Sequence, residues 1–105
     1  MTIQAAGALL EGCVLALLSK GEAYGYSLAQ QARKALGVSE STLYPVMRRL
    51  QTGGCLTTRD EQFNGRNRRY YSITAQGRDR CRACRDEWLD FKNRVEDILL
   101  EGGND

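Results

Sequence analysis

Hydrophobic residues follow a helical period through the first half of the chain. A broad apolar segment from about Ile3 to Ser19 predicts a first helix that is covered from two sides, because its hydrophobic residues span well over half of the helix circumference. A second helix is predicted from Ala23 to Leu36 and a third from Ser39 to Gln51, with Gly37 closing the second. The positions of the third helix that are expected to face inward are Leu43, Val46, Met47 and Leu50.

The pattern then changes to that of β-strands. Segments from Leu56 to Phe63 and from Arg68 to Ile73 are rich in residues that favour strands, and between them stands Asn64-Gly65, a strong signal for a hairpin turn. The second and third helices, joined by a tight turn at Leu36-Gly37-Val38, form a helix-turn-helix arrangement, and a hairpin that follows such an arrangement is a wing. The order of elements therefore predicts a mainly α (α+β) chain, a winged helix-turn-helix followed by one long helix.

The last predicted helix runs from Ala75 to about Leu100, with Thr74 as its N-cap. Its apolar residues form a heptad seam of Cys81, Cys84, Trp88, Phe91, Val95 and Ile98. At about 1.5 Å per residue the helix is roughly 39 Å long and overhangs so small a domain. We expect it to pair with the same helix of a second copy, in an interface shared with Leu9, Leu10 and Cys13 of the first helix.

These elements predict three parts of the chain. Residues 1–73 are expected to form a winged-helix DNA-binding domain whose first helix also contacts the dimer partner. Residues 74–101 are expected to form the dimerisation helix. The glycine-rich residues 102–105 are expected to be a frayed tail.

Composition excludes several classes of protein. The chain has 105 residues and no His, which removes Ser-His-Asp and Cys-His catalysis, and it has no cofactor fingerprint, so we expect neither an enzyme nor a cofactor. No apolar stretch reaches membrane-spanning length, and no basic region precedes the first apolar run, so we expect no signal peptide. The four Cys residues are therefore expected to be reduced thiols in a cytoplasmic protein.

The net charge of +2 hides a strong division along the chain. Residues 48–85 carry 10 basic and 3 acidic side chains, a net charge of +7, whereas residues 86–105 carry 2 basic and 7 acidic ones, a net charge of −5. A positive block of this density suggests a polyanionic partner, and double-stranded DNA is the first candidate.

The third helix and the hairpin carry the residues expected to bind DNA. On the exposed side of the third helix these are Ser39, Ser41, Thr42, Tyr44, Arg48 and Arg49, whose hydroxyl and guanidinium groups suit phosphates and base edges. At or just after the hairpin tip they are Arg66, Asn67, Arg68 and Arg69. The alternatives are an ordinary solvated helix and edge-strand arginines that only prevent aggregation.

Several motifs occur in the same order as these elements. They are Tyr24-Gly25-Tyr26, Ser41-Thr42-Leu43-Tyr44-Pro45, Arg48-Arg49-Leu50, Gly53-Gly54, Gly65-Arg66, Arg68-Arg69-Tyr70-Tyr71 and Ile73-Thr74-Ala75-Gln76-Gly77. In these motifs the chain resembles the PadR family of transcriptional regulators, in particular the smaller subfamily with a single C-terminal dimerisation helix. The resemblance implies a dimer that represses genes from an inverted-repeat operator, with Tyr24 and Tyr44 near the DNA.

Trp88 has two interpretations. Multidrug-binding members of the small subfamily place a Trp at a matching position, which implies a site for a small aromatic effector at Trp88, Glu87 and Phe91. Alternatively, Trp88 only fills the dimer core at its seam position.

Cys81-x-x-Cys84 also has more than one interpretation. The pair lies well inside the helix, away from the N-terminus where a redox motif sits, and the chain has no His to complete a zinc site, so core packing and no metal are expected. Thiol sensing across the dimer stays open.

The residue patterns predict a homodimeric DNA-binding protein, and the resemblance implies that it is a transcriptional regulator, a ligand-responsive repressor. The alternative is a protein-interaction adaptor that keeps a winged helix but does not bind DNA.

Overall fold

The computed structural model describes residues 3–101, which form four α-helices, a three-stranded sheet and a final π-helical turn. The elements are α1 Ile3–Leu18, β1 Ala23–Tyr24, α2 Gly25–Leu36, α3 Glu40–Thr52, β2 Leu56–Phe63, β3 Arg66–Ile73, α4 Ala75–Glu96 and the π-helical turn Asp97–Glu101. The predicted winged helix-turn-helix with a long C-terminal helix is confirmed. No helix among these elements has the length and apolar character needed to cross a membrane.

The hydrophobic core lies where α1, α2 and α3 meet the base of the sheet. Its largest fully buried side chains are Val14, Leu15, Leu18, Leu28, Leu43, Met47, Leu50 and Leu56. Tyr71 of β3 packs against this cluster from the sheet. The four inward positions predicted for α3 are all buried, which confirms the helical period of that segment.

The turn of the helix-turn-helix is short and is fixed by Gly37. Its φ of 70° lies in the left-handed region, and its N–H donates to the carbonyl of Arg33 over 2.8 Å, so α2 ends abruptly. The extended Ser39 then starts α3. A hydrogen bond from the side-chain amide of Gln30 to Glu40 links the two helices across this turn.

The second helix begins later than predicted. Ala23 and Tyr24, expected at its start, form strand β1 and pair with Tyr71 and Tyr70 of β3. The backbone is extended at Tyr24 because β3 supplies it with hydrogen-bond partners, and α2 begins at Gly25. An added Cβ at Gly25 would lie 2.9 Å from the Tyr71 ring, so the close approach of helix and sheet needs glycine there.

The wing is a regular antiparallel hairpin. Its strands pair from Leu56 opposite Ile73 to Phe63 opposite Arg66, so β3 begins two residues earlier than predicted. The turn between them has positive φ at both Asn64 (50°) and Gly65 (76°), the geometry that matches the right-handed twist of two strands. In the sheet, β3 is the central strand, with β1 on one side and β2 on the other.

The long helix α4 packs on α1 with its first half. Thr74 caps it by accepting a hydrogen bond from the N–H of Gly77 over 2.9 Å, which confirms the predicted N-cap. The molecule measures 63 × 26 × 22 Å, because α4 and the wing project from a small core. The predicted α-helix to about Leu100 is wrong in its last turn, which is π-helical and carries the exposed Leu99 and Leu100, so that no core packing fixes its spacing.

Candidate nucleic-acid interface

Three hydroxyl groups cluster at the N-terminal end of α3. The Oγ atom of Ser39 lies 2.9 Å from Oγ of Ser41 and 3.1 Å from Oγ1 of Thr42, and all three residues are exposed. Ser39 makes no side-chain cap hydrogen bond, so the hydroxyls are engaged with one another. An exposed helix N-terminus with a cluster of hydroxyl groups suits a phosphate or the edge of a base.

The two adjacent arginines of α3 have different surroundings. Arg48 is exposed and has no ion-pair partner within residues 3–101. Arg49 turns towards α1, where its Nε atom lies 3.5 Å from the carboxylate of Glu11, to which Arg80 of α4 also donates over 2.6 Å. The structure therefore groups Arg48 with the exposed hydroxyls of α3 and draws Arg49 into a link between three helices. A helical wheel of the sequence predicts this difference, because Arg49 borders the buried face of α3 and Arg48 lies opposite that face.

The wing arginines alternate between the two faces of the hairpin. Arg66 and Asn67 are exposed at the tip. Arg69 forms an ion pair with its cross-strand neighbour Asp60 at 3.1 Å. The hydrogen bond between them lowers the pKa of Asp60 and raises that of Arg69, so both stay charged and partly neutralise each other.

Arg68 lies on the other face of the hairpin and contacts aromatic rings. Its guanidinium carbon is 3.9 Å from the centre of the Phe63 ring and 4.8 Å from that of Tyr24. Tyr24 in turn lies 5.8 Å from the ring of Tyr70 and 6.2 Å from that of Tyr26. These rings connect the wing to the start of α2.

Tyr44 extends this aromatic surface to α3. Partial burial is the main cause that raises its pKa, followed by the nearby Glu40 and by the phenols of Tyr71, Tyr24 and Tyr26. The phenol is therefore close to the start of α2 and to the sheet. Tyr44, Tyr24 and Arg68 thus connect α3, β1 and the wing in one surface. Arg49, which pairs with Glu11, and Arg69, on the opposite face of the hairpin, lie outside it.

The base of the wing carries a charged cluster that was not predicted from the sequence. Arg59 donates to both carboxylate oxygens of Glu22, over 2.8 and 2.6 Å, and to Glu61 over 2.8 Å. Its hydrogen bond is the main cause that lowers the pKa of Glu22, which also accepts from Ser72 over 3.2 Å. Because Glu22 and Arg59 are 37 residues apart, no local rule pairs them, and they come together only because β1 and β2 both pair with β3.

Three thiols line the groove between α1 and α4. Within the chain, Cys81 donates to the carbonyl of Gly12 at 3.8 Å and Cys84 to that of Ala8 at 3.3 Å. Burial, with a smaller contribution from neighbouring thiols, raises the pKa of Cys13 and Cys84 above the usual 9.0. In residues 3–101 no group of three or more His, Cys, Asp or Glu side chains is arranged to hold a metal ion.

The predicted interface and effector residues of the C-terminal helix lie along one side of it, and the predicted interface residues Leu9, Leu10 and Cys13 are on α1. Trp88 and Phe91 are 40% and 43% exposed, and with Glu87 and Leu9 they line a small cavity of about 190 Å³. Further along the seam, Ile98 is 73% exposed. Leu10 packs against the core of its own chain, and Val95 is half-buried.

Comparison with known proteins gives the family. The model of the "Transcriptional regulator PadR-like family" matches residues 14–83, about two thirds of the chain and from α1 into α4. The transcriptional regulator Rv3488 of Mycobacterium tuberculosis is 40% identical over 58 residues, so the chain spans about half the length of that curated relative (54%).

Solved structures agree with the family model over most of the chain. The protein smu.1704 of Streptococcus mutans is 33% identical with a TM-score of 0.79, and the match covers 89% of this chain and 88% of that one. The PadR-like transcriptional regulator BC4206 of Bacillus cereus is 30% identical with a TM-score of 0.78, covering 91% and 96%. Proteins of this family regulate transcription and are not enzymes. On this evidence the chain belongs to the PadR-like family of transcriptional regulators.

Proposed function

We propose that this protein binds double-stranded DNA as a homodimer and represses transcription from an inverted-repeat operator in response to a small aromatic effector. In this proposal α3 enters the major groove with Ser39, Ser41, Thr42, Tyr44 and Arg48, and the wing holds the backbone or the minor groove with Arg66, Asn67, Arg68 and Arg69. Tyr24 lies between the two, and Arg49 is left to its ion pair with Glu11.

One observation carries the proposal of DNA binding. Of the ten arginines between residues 48 and 85, six form ion pairs: Arg49, Arg59, Arg69, Arg80, Arg82 and Arg85. Among the residues that the structure describes, the four without a carboxylate partner are Arg48, Arg66, Arg68 and Arg78. Three of these four lie on α3 or the wing, where a polyanion would neutralise them and release its counterions.

Fluorescence anisotropy with a labelled DNA fragment from upstream of the gene tests this proposal. Replacing Arg48 or Arg66 by Ala is expected to weaken binding and to reduce the slope of log K against log salt by about 0.9 for each lost phosphate contact. Arg82→Ala is the matched control, because it removes the same charge from α4, where Arg82 pairs with Asp79. Wild-type affinity and slope in both α3 and wing variants would exclude this DNA surface.

The homodimer is supported by the distribution of exposed apolar side chains. Nine large hydrophobic residues are exposed within residues 7–101, and six of them lie between Trp88 and Leu100. Antiparallel pairing of α4 around a two-fold axis would cover them and bring its basic first half against the acidic second half of the partner. Two recognition helices related in this way require an operator with two inverted half-sites.

Sedimentation velocity tests the dimer. Ile98→Asp places a charge in the seam and is expected to shift the protein to a monomer, whereas Asn93→Asp adds the same charge to an exposed position outside the seam and is expected to leave the dimer intact. A wild-type protein that sediments as a monomer at micromolar concentration would contradict the proposal.

The effector proposal rests on the cavity beside Trp88. Trp88 lines this cavity of about 190 Å³ and also a neighbouring one of about 380 Å³ between α1 and α4, and a second copy paired along α4 would enclose both. Trp88 and Phe91 offer aromatic faces and Glu87 a carboxylate, a combination that favours a flat cation. Binding there would change the separation of the recognition helices and with it the affinity for the operator.

Titration with planar dyes tests the effector site, because Trp88 is the only Trp of the chain and its fluorescence reports on the groove between α1 and α4 that it lines. A planar cationic dye is expected to quench it, an anionic dye of the same size to do so less, and Glu87→Gln to reduce the difference. No quenching by any dye of a varied panel would leave Trp88 with a packing role only.

An intact dimer that binds no DNA would favour the adaptor function instead.

A further inference from the structure

The central strand of the wing places one charged side chain between two aromatic rings. Arg68 is on β3, Tyr24 on β1 and Phe63 on β2, so each ring comes from a strand that flanks β3. The guanidinium carbon lies 4.8 Å from the centre of one ring and 3.9 Å from that of the other. Both distances are well within the range in which a cation is attracted by the face of a ring.

The register of the sheet explains this arrangement. Phe63 pairs directly with Arg66 and Tyr24 with Tyr70, and Arg68 is two residues from each of these partners on the same strand. All of these side chains therefore stand on one face of the sheet, and the rings reach Arg68 along the diagonals.

Phe63 has no other evident use. It is 48% exposed at the end of β2, close to the wing tip, where a large apolar side chain gains little from burial. Arg68 is less exposed than the other arginines of the hairpin and has no carboxylate partner within residues 3–101. Glu61 stands opposite Arg68 in the sheet, but its carboxylate binds Arg59 instead. The rings thus fix a guanidinium whose charge remains available.

We propose that Phe63 is a positioning residue for DNA binding: with Tyr24 it holds the guanidinium of Arg68 in place, so that its N–H groups meet a DNA phosphate without first losing rotamer freedom. This inference rests on the proposed function, and it assigns Tyr24 a positioning role as well. A long arginine side chain that is already ordered loses less entropy on binding, and stacking leaves the edge of the guanidinium plane open to donate hydrogen bonds.

A double-mutant cycle on DNA affinity tests the proposal. Phe63→Leu keeps an apolar side chain but removes the ring face, and it is expected to weaken binding about two- to fivefold. Phe63→Trp restores a ring face and is expected to restore affinity. In an Arg68→Ala background, Phe63→Leu is expected to cause no further loss, because the residue acts through the arginine.

Two further variants separate positioning from stability. Thr57→Ala, at an exposed position near the start of β2, weakens strand propensity without touching the rings and is expected to leave affinity unchanged. Arg68→Lys keeps the charge but loses the planar group and is expected to weaken binding. In the free protein, the ring currents should shift the NMR signal of the Arg68 Nε–H, and Phe63→Leu should return it towards its ordinary position.

The outcomes are distinguishable. If the wild-type protein does not bind DNA, the proposed function fails, and the NMR signal alone decides whether Phe63 holds Arg68. If the wild-type protein binds DNA but Phe63→Leu has no effect, or has the same effect with and without Arg68, the positioning role is wrong. Wild-type affinity of Arg68→Lys would overturn it as well.

Discussion

Replacing Gly12 by alanine tests the close approach of α1 and α4. A Cβ added at Gly12 would lie 2.1 Å from the Sγ atom of Cys84 and 2.8 Å from its Cβ. Rotation of the thiol can relieve the first contact, but it breaks the hydrogen bond from Cys84 to the carbonyl of Ala8. The second contact is 0.6 Å shorter than the 3.4 Å at which ordinary contact begins, and only a separation of the two helices relieves it.

The expected magnitude follows from two opposing effects. Overpacking of this kind costs about 1–3 kcal/mol, whereas alanine in place of glycine inside a helix stabilises by roughly 0.5–1 kcal/mol. We therefore expect Gly12→Ala to lower the free energy of unfolding by about 1–2 kcal/mol, which for a domain of this size lowers Tm by roughly 5–10 °C.

Gly7 supplies the matched control on the same helix. The atom nearest to a Cβ added there is Nη2 of Arg49, at 3.9 Å, so Gly7→Ala is expected to stabilise by about 0.5–1 kcal/mol. Urea unfolding of both variants at one fixed protein concentration measures the difference, since dimerisation makes the midpoint depend on concentration. Equal stability of the two variants would refute the close crossing of α1 and α4 at Gly12.

Three further predictions concern other parts of the fold. Glu11→Gln leaves two arginines without their common carboxylate, which is only 13% exposed, and should destabilise by about 1–3 kcal/mol in urea unfolding; no change would show that the link between the helices is dispensable. Gly65→Ala meets no neighbouring atom in the part of the chain that the structure describes, so its expected cost of about 1–2 kcal/mol is backbone strain alone, and thermal melting at the wild-type Tm would contradict it. Arg59 lowers the pKa of Glu22 from its ordinary 4.5, so this pair contributes stability above pH 4.5 that is lost as the pH falls through the lower pKa of the folded state. Between pH 5 and 2 the free energy of unfolding should therefore depend less on pH in Arg59→Gln than in the wild type, and the same pH dependence in both proteins would exclude the linkage.

The sequence predicts those parts of the fold that depend on local rules. The inward positions of α3 follow from the helical period, the hairpin turn from Asn64-Gly65, and the start of α4 from Thr74, because each is determined by residues a few positions apart. Such rules do not predict strand β1, because two residues are too few to show an alternating hydrophobic pattern. They are extended only because they pair with β3.

The candidate site shows the same division. The sequence shows that α3 and the wing are rich in arginine, but it cannot decide which of these arginines form ion pairs. Arg49 and Arg59 pair with Glu11 and Glu22, and both partners are at least 37 residues away along the chain. Such pairs depend on how α1 and the sheet pack, which is a property of the whole fold.

The Asn64–Gly65 turn also gives the wing a limited chemical lifetime. In an Asn-Gly sequence the glycine has no side chain to shield its peptide nitrogen, so this nitrogen can attack the side-chain amide carbon of the asparagine, which expels ammonia and closes a succinimide ring. Water then opens the ring to give aspartate or isoaspartate. Either product places a negative charge beside Arg66, and isoaspartate adds a methylene group to the backbone of a turn in which both residues have positive φ. A preparation of this protein that ages in solution will therefore lose attraction for polyanions at the wing tip before its helical core is affected.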